Sequence, residues 1–183
     1  VHFDIERKLR SGSLSLLLLQ PFSALSYLIF RQLGDKIMSV VLRLPFFLLI
    51  MYYLHISIDF NLFALLAVVL GFFTYLLISS LFGMLSFWVT DTGGFVGAFY
   101  FFAYLLSGEL APLAFYPEWF RTLTTYLPYR YVLSFPIEII LHKLSSTEIL
   151  IGFLIGTGWL AILFALLKIL WSRALRAYQA YGN

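Results

Sequence analysis

Four stretches of the chain lack the polar positions that normally mark the wet face of a soluble helix, and their lengths set the first expectation. Residues 62–89 run twenty-eight positions without a charged side chain. That is well beyond the about 20 residues a helix needs to cross the hydrocarbon layer of a bilayer. Residues 149–167 are a clean apolar nineteen before Lys168, and residues 37–54 are broken only by Arg43 and Pro45. Residues 93–108 are the shortest, at sixteen, and continue into the apolar, proline-bearing 110–117. A broken or re-entrant helix is the alternative there. Lipid offers no water to satisfy backbone N–H and C=O groups, so helix is the expected form throughout. The pattern predicts an all-α, polytopic membrane protein with four spans, forming one membrane domain over residues 1–183.

The connections carry patterns of their own. Residues 1–36 open with charges from Asp4 to Arg10, pass through Ser11-Gly12-Ser13, turn leucine-rich as far as Gln20 and then meet Pro21. Proline disfavours helix in the residue before it and suits the first turn of the next helix. A short helix ending near Gln20 and a second starting at Pro21 are therefore expected. Leu14, Leu17 and Leu18 share one face of the first. Exposed to cytosol, that stripe needs a cover: lipid headgroups, the protein's own helices or a partner protein. In residues 109–148, Pro117 and Glu118 make a helix start that Leu127-Pro128 stops, with Trp119, Phe120, Leu123 and Leu127 on one side. A second segment, 130–142, is apolar enough to lie in the membrane interface with it. Tyr116, Trp119, Tyr126, Tyr129 and Tyr131 suit an aromatic belt at headgroup level.

Charge placement gives orientation. Arg7, Lys8, Arg10, Arg31 and Lys36 precede the first span, and Lys168, Arg173 and Arg176 follow the last. Only Arg121, Arg130 and Lys143 lie on the opposite side. Eight basic residues against three place both termini in the cytoplasm, as an even number of spans requires. Arg43 reads as an anchor snorkelling to the cytoplasmic headgroups, with a pore-lining role as the alternative. The first residue, Val1, is not Met and no signal-peptide pattern follows it, so a preceding piece is expected.

Composition agrees with the class: 62% of residues are hydrophobic and 11% charged, against roughly 25% charged in soluble domains. The absence of cysteine excludes disulfides and thiol chemistry. His2, His55 and His142 fall in separate loops without metal-ligand spacing, and Asp91 is a lone helix-end acid rather than one of a Mg²⁺-binding pair. No phosphate-binding glycine loop occurs, so ATP coupling would come from another polypeptide and no cofactor is expected in this chain. Scarce in-membrane charge argues against an ion channel or proton-driven carrier. Thr74, Tyr75, Ser79, Ser80, Ser86, Tyr100 and Tyr104 are candidates to line a path for an amphipathic compound. The spacings Ser79-x-x-x-Gly83, Gly93-x-x-x-Gly97 and Gly152-x-x-x-Gly156 would bring helix backbones close, within the chain or between subunits.

Several of these patterns together resemble a known family. Arg10-Ser11-Gly12-Ser13-Leu14 through Leu18-Leu19-Gln20-Pro21 resembles the Gly-x-Leu…Leu-x-x-Pro loop of ABC-2 type transporter permeases. Tyr116-Pro117-Glu118-Trp119-Phe120, Leu127-Pro128 and Phe135-Pro136 look like the proline-marked helices before their last span. Trp171-Ser172-Arg173-Ala174-Leu175 through Tyr178 is similar to the ending of the branch called ABC-2 family transporter proteins. The resemblance implies six spans, of which this chain would lack the first two, in a bacterial cytoplasmic membrane. It implies a homo- or heterodimer with a second permease and two P-loop ATPase subunits that hold ATP and Mg²⁺. It puts the ATPase-coupling helix on 12–19, with Arg10, Gly12, Leu14, Leu17, Leu18 and Pro21, and external re-entrant helices around Pro117, Trp119, Pro128 and Pro136. Members export hydrophobic or amphipathic compounds, toxic cations among them; the chain itself would be no enzyme and bind no nucleic acid. The competing expectation is a non-transporting membrane scaffold whose leucine helix docks another partner. An intramembrane enzyme would need polar residues converging at one depth, which the sequence does not display.

Overall fold

The computed structural model describes residues 13–21, 23–55, 61–88 and 93–180. Among them are seven α-helices and no strand. These are α1 (Ser13–Leu18), α2 (Ala24–Tyr53), α3 (Leu62–Met84), α4 (Gly93–Ser107), α5 (Glu118–Thr125), α6 (Ser134–Ile140) and α7 (Ser146–Ala180). Short 3-10 turns cover Leu85–Phe87, Leu113–Phe115 and Pro128–Val132. The expectations for His2, Arg10, Gly12 and Asp91 lie outside the described residues.

Helix ends follow their caps. Ser23 accepts from the Ser26 amide at 3.4 Å and opens α2, so that helix starts three residues beyond Pro21, which lies in the preceding bend. The side chain of Asn61 accepts from the Ala64 amide at 2.8 Å and opens α3. Gly108, at φ +82, turns the chain out of α4, and the amides of Glu109 and Leu110 both donate to the Tyr104 carbonyl at 3.1 Å. His55 and His142, each at φ 53, play the same left-handed part after α2 and α6. Neither belongs to a metal-binding group, and no such group occurs among the described residues.

α3 is the central helix. It and Ser146–Arg176 of α7 are long and apolar enough to cross a membrane, and half of α3's apolar window is buried against 17% of α7's. The two make the most extensive helix–helix contact in the fold. Against both sits a segment that enters from the α4–α7 connection. Tyr131, Phe135 and Ile139, all but fully buried, pack with Ala64, Ala67 and Leu70 of α3 and with Phe153 and Trp159 of α7.

Three glycines make this possible. A methyl group on Gly71 would lie 2.6 Å from the Tyr131 carbonyl oxygen and 2.8 Å from that of Val132. A methyl on Gly152 would strike the Phe135 ring, and one on Gly156 would meet Leu70 and Tyr131. Gly71 is nine residues past Leu62, so the Pro128–Val132 turn reaches about 14 Å below the start of α3. The expected second segment, 130–142, is thus divided into a 3-10 turn and α6, and it dips between helices instead of lying flat. Irregular backbone survives at such depth only where protein surrounds it. Tyr131 donates to the Thr125 carbonyl at 2.8 Å, Ser134 to that of Ser107, and Arg130 pairs with Glu138 at 2.6 Å. Burial holds the Tyr131 hydroxyl above its ordinary pKa, keeping it a donor. Trp159 Nε1 donates to the Tyr126 carbonyl at 2.8 Å and ties the end of α5 to α7.

Candidate functional site

Polar side chains on α2 recur at Gln32, Lys36, Ser39 and Arg43. Spacings of four, three and four keep them within one narrow stripe of a helix with 3.6 residues per turn. The upper half of this stripe was legible; its lower half falls in a segment expected to lie below the membrane. Here α2 is continuous from Ala24, and the whole stripe runs alongside α3. Gln32, 4% exposed, donates through Nε2 to the Leu76 carbonyl at 3.3 Å. The Ser80 hydroxyl lies 2.8 Å from both Gln32 Oε1 and the Leu76 carbonyl, closing a compact ring of polar atoms. Lys36 donates to the Tyr75 hydroxyl at 3.3 Å and lies 4.6 Å from the centre of that ring. A lysine this deep is tolerable because the ring face and hydroxyl replace part of its water shell.

Tyr75 carries the polar track onward. Its hydroxyl hydrogen-bonds with that of Tyr100, and Tyr100 stacks on Tyr104 with ring centres 6.1 Å apart. Tyr75, Tyr100, Tyr104, Glu109 and Tyr129 surround a cavity of about 30 Å³, room for one water molecule. Lys36 therefore reaches the end of the molecule that holds Glu109 through a continuous file of tyrosines. Of the expected path residues, Tyr75, Ser80, Tyr100 and Tyr104 come together here. Thr74 and Ser79 are buried within the helix packing, where the Thr74 hydroxyl donates to its own helix at the Leu70 carbonyl. Gln32, Lys36, Glu109 and Tyr129 were not among the sequence candidates. Lys36, which the charge count placed just before the first span, and Arg43, already placed within it, both lie beside the middle of α3.

At the far end of α2, α1 lies across the start of that helix. Leu14 and Leu17 are buried with Ala24 and Leu28 of α2, Phe87, and Ala174 of α7, with Tyr27 and Trp171 alongside. Phe87 meets Trp171 edge to face at 6.2 Å. Of the three possible covers for the leucine stripe, the protein's own helices are the one observed. The outward side holds Leu16, 68% exposed, Leu19, 82% exposed, and the edge residue Leu18. Ser79 and Gly83 of the first small-residue pair are buried, and Gly152 with Gly156 makes the close approaches described above. An added methyl on Gly97 meets nothing among the described residues, and Gly93 opens α4. Among the external residues, Pro128 and Pro136 are buried, while Pro117 caps α5 and Trp119 is 68% exposed.

The chain was also compared with known proteins. The model of a family described as ABC-2 family transporter protein matches residues 2–182. No curated protein and no solved structure matches the chain.

Proposed function

Because the chain belongs to the ABC-2 family of transporter proteins and is a membrane component of that kind of transporter, we propose that it is the permease subunit of an exporter. It moves a hydrophobic or amphipathic compound out of the cytoplasm, with ATP and Mg²⁺ held by a separate P-loop ATPase. A second permease, a copy or a sister chain, completes the pathway. Both termini lie in the cytoplasm of a bacterial inner membrane, and α1 faces the ATPase.

One observation carries this reading: α1 is seated on the roots of α2 and α7 with apolar residues turned outward. α2 then continues unbroken from that seat to the polar stripe at Gln32, Lys36 and Arg43. A push on α1 is thereby delivered to the polar track without crossing a loop. The contact surface belongs to Leu16, Leu18 and Leu19, while Leu14 and Leu17 hold α1 to its own helices. The exposed apolar length of α2 from Val41 to Ile50 meets lipid or the second permease.

The test is purification of the full-length protein from its native membrane with mass spectrometry of stoichiometric partners. A near-equimolar P-loop ATPase is expected, and Leu16→Asp with Leu19→Asp should release it, since each places a charge in the contact. A clean sample that retains no ATPase would replace the exporter with a scaffold.

A further inference from the structure

The stripe on α2 does more than touch α3. Lys36, Ser39 and Arg43 of α2 line an open cleft of about 400 Å³, whose apolar side is formed by Leu44 and Phe47 of the same helix and Phe72 of α3. That volume lies within the range of small-molecule sites, about 300–1,000 Å³. Phe72 is ten residues past Leu62 and twelve before Met84, so the cleft sits at the mid-height of the central helix. Arg43 makes no hydrogen bond or ion pair among the described residues, and no acid lines the cleft. An unneutralised guanidinium at the centre of a bilayer is costly. Its planar fork matches a phosphate or carboxylate through two parallel hydrogen bonds. The Lys36 ammonium adds a second positive charge seven residues away on the same helix face, held in place by Tyr75.

From the paired cations, the missing acid and the aromatic wall, we propose that this cleft binds an anionic amphiphile. Its phosphate or carboxylate head would lie between Arg43 and Lys36, and its chain along Phe47 and Phe72. Taking that ligand as cargo rests on the exporter reading; the binding site itself does not. The deduced cargo is acidic, the opposite sign from the toxic cations that the family resemblance brought in.

The experiment uses the full-length permease with its ATPase in phosphatidylcholine nanodiscs, labelled without ATP by a diazirine-bearing long-chain fatty acid and mapped by mass spectrometry. Label is expected at 40–47 and at Phe72. Dodecyl phosphate should displace it and dodecyltrimethylammonium should not. Arg43→Gln should cut labelling about tenfold, while Arg43→Lys, which keeps the charge, retains most of it. Displacement by dodecyl phosphate in phosphatidylcholine alone identifies a free amphiphile as the ligand. Competition only by added phosphatidylglycerol identifies a membrane lipid head, and the site stands in both cases. Equal displacement by the cation, or full labelling of Arg43→Gln, overturns the proposal; should that variant not fold, the two competitors on the unaltered protein decide alone. Labelling at the cleft in a preparation that retains no ATPase would keep the site and remove the exporter. An active ATPase complex without label would do the reverse.

Discussion

Where α3 and α7 hold the 128–140 segment, glycines bring backbone and rings into direct contact; where α3 meets α2, side-chain hydrogen bonds reach across. The first junction is closed by Gly71 against the Tyr131 and Val132 carbonyls, Gly152 against Phe135, and Gly156 against Leu70 and Tyr131. The second rests on Gln32, Ser80, Lys36 and Tyr75, with a 400 Å³ cleft beside them. Lipid tails are as apolar as leucine, so burial of apolar area cannot hold spans together, and close packing or polar contact must do so. Close packing has a single solution and fixes its partners. Polar contacts in a bilayer are worth only about 0.6 kcal/mol on average and can be exchanged for others. The α3–α7 pair is thus expected to act as the frame, and α2, rooted on α1, as the helix that shifts against it.

The largest effect is expected from Gly71→Ala. The added methyl faces two backbone oxygens, not a side chain that can turn away. A loss at the upper end of the about 1–3 kcal/mol typical of overpacking should appear as a marked drop in detergent thermal midpoint. An unchanged midpoint would dissolve the distinction between frame and moving helix. A smaller effect is expected from Ser80→Ala, which leaves Gln32 Oε1 without its donor. It should cost about 1 kcal/mol, and adding Gln32→Leu should recover part of it. Failure to recover would mean that Gln32 and Ser80 act independently. The smallest belongs to Gly97→Ala, whose methyl meets nothing among the described residues. Stability should stay within about 0.5 kcal/mol; a shift in oligomeric state measured by mass photometry would instead place α4 against the second permease.

Much of this was legible because apolar runs and caps are local signals. The helix over 62–84 falls within the expected apolar stretch 62–89, the helix over 146–180 contains the expected 149–167 and runs on past Lys168, and Pro117 with Glu118 opened α5 as expected. Spacing singled out Gly152 and Gly156, and both lie at close approaches, to the side chains of Phe135, Leu70 and Tyr131 rather than to a helix backbone. Gly71, where an added methyl would meet two backbone oxygens, lies in an Ala67-x-x-x-Gly71 spacing that was not among those singled out. The polar stripe was half visible. Gln32, Lys36, Ser39 and Arg43 share a face at helical period, but positive charge near an apolar run normally signals its cytoplasmic edge. Only Tyr75, thirty-nine residues further along, shows that Lys36 has a partner on α3. The leucine stripe left its cover open between lipid, the protein's own helices and a partner, because nothing local announces that Phe87 and Ala174 will pack on Leu14 and Leu17.

The depth of the Pro128–Val132 turn has an electrical consequence. Its carbonyls meet α3 at Gly71, and the Lys36 ammonium meets α3 at Tyr75. Four residues of helix, about 6 Å, separate those two points, and Arg43, beside Phe72, lies at the level between them. Charged and polar groups are thus spread along α3 where a membrane potential would act on them. One elementary charge moving through the full field exchanges about 2.3 kcal/mol per 100 mV. Under the exporter reading, with α1 on the negative side, that field would favour outward movement of an acidic headgroup.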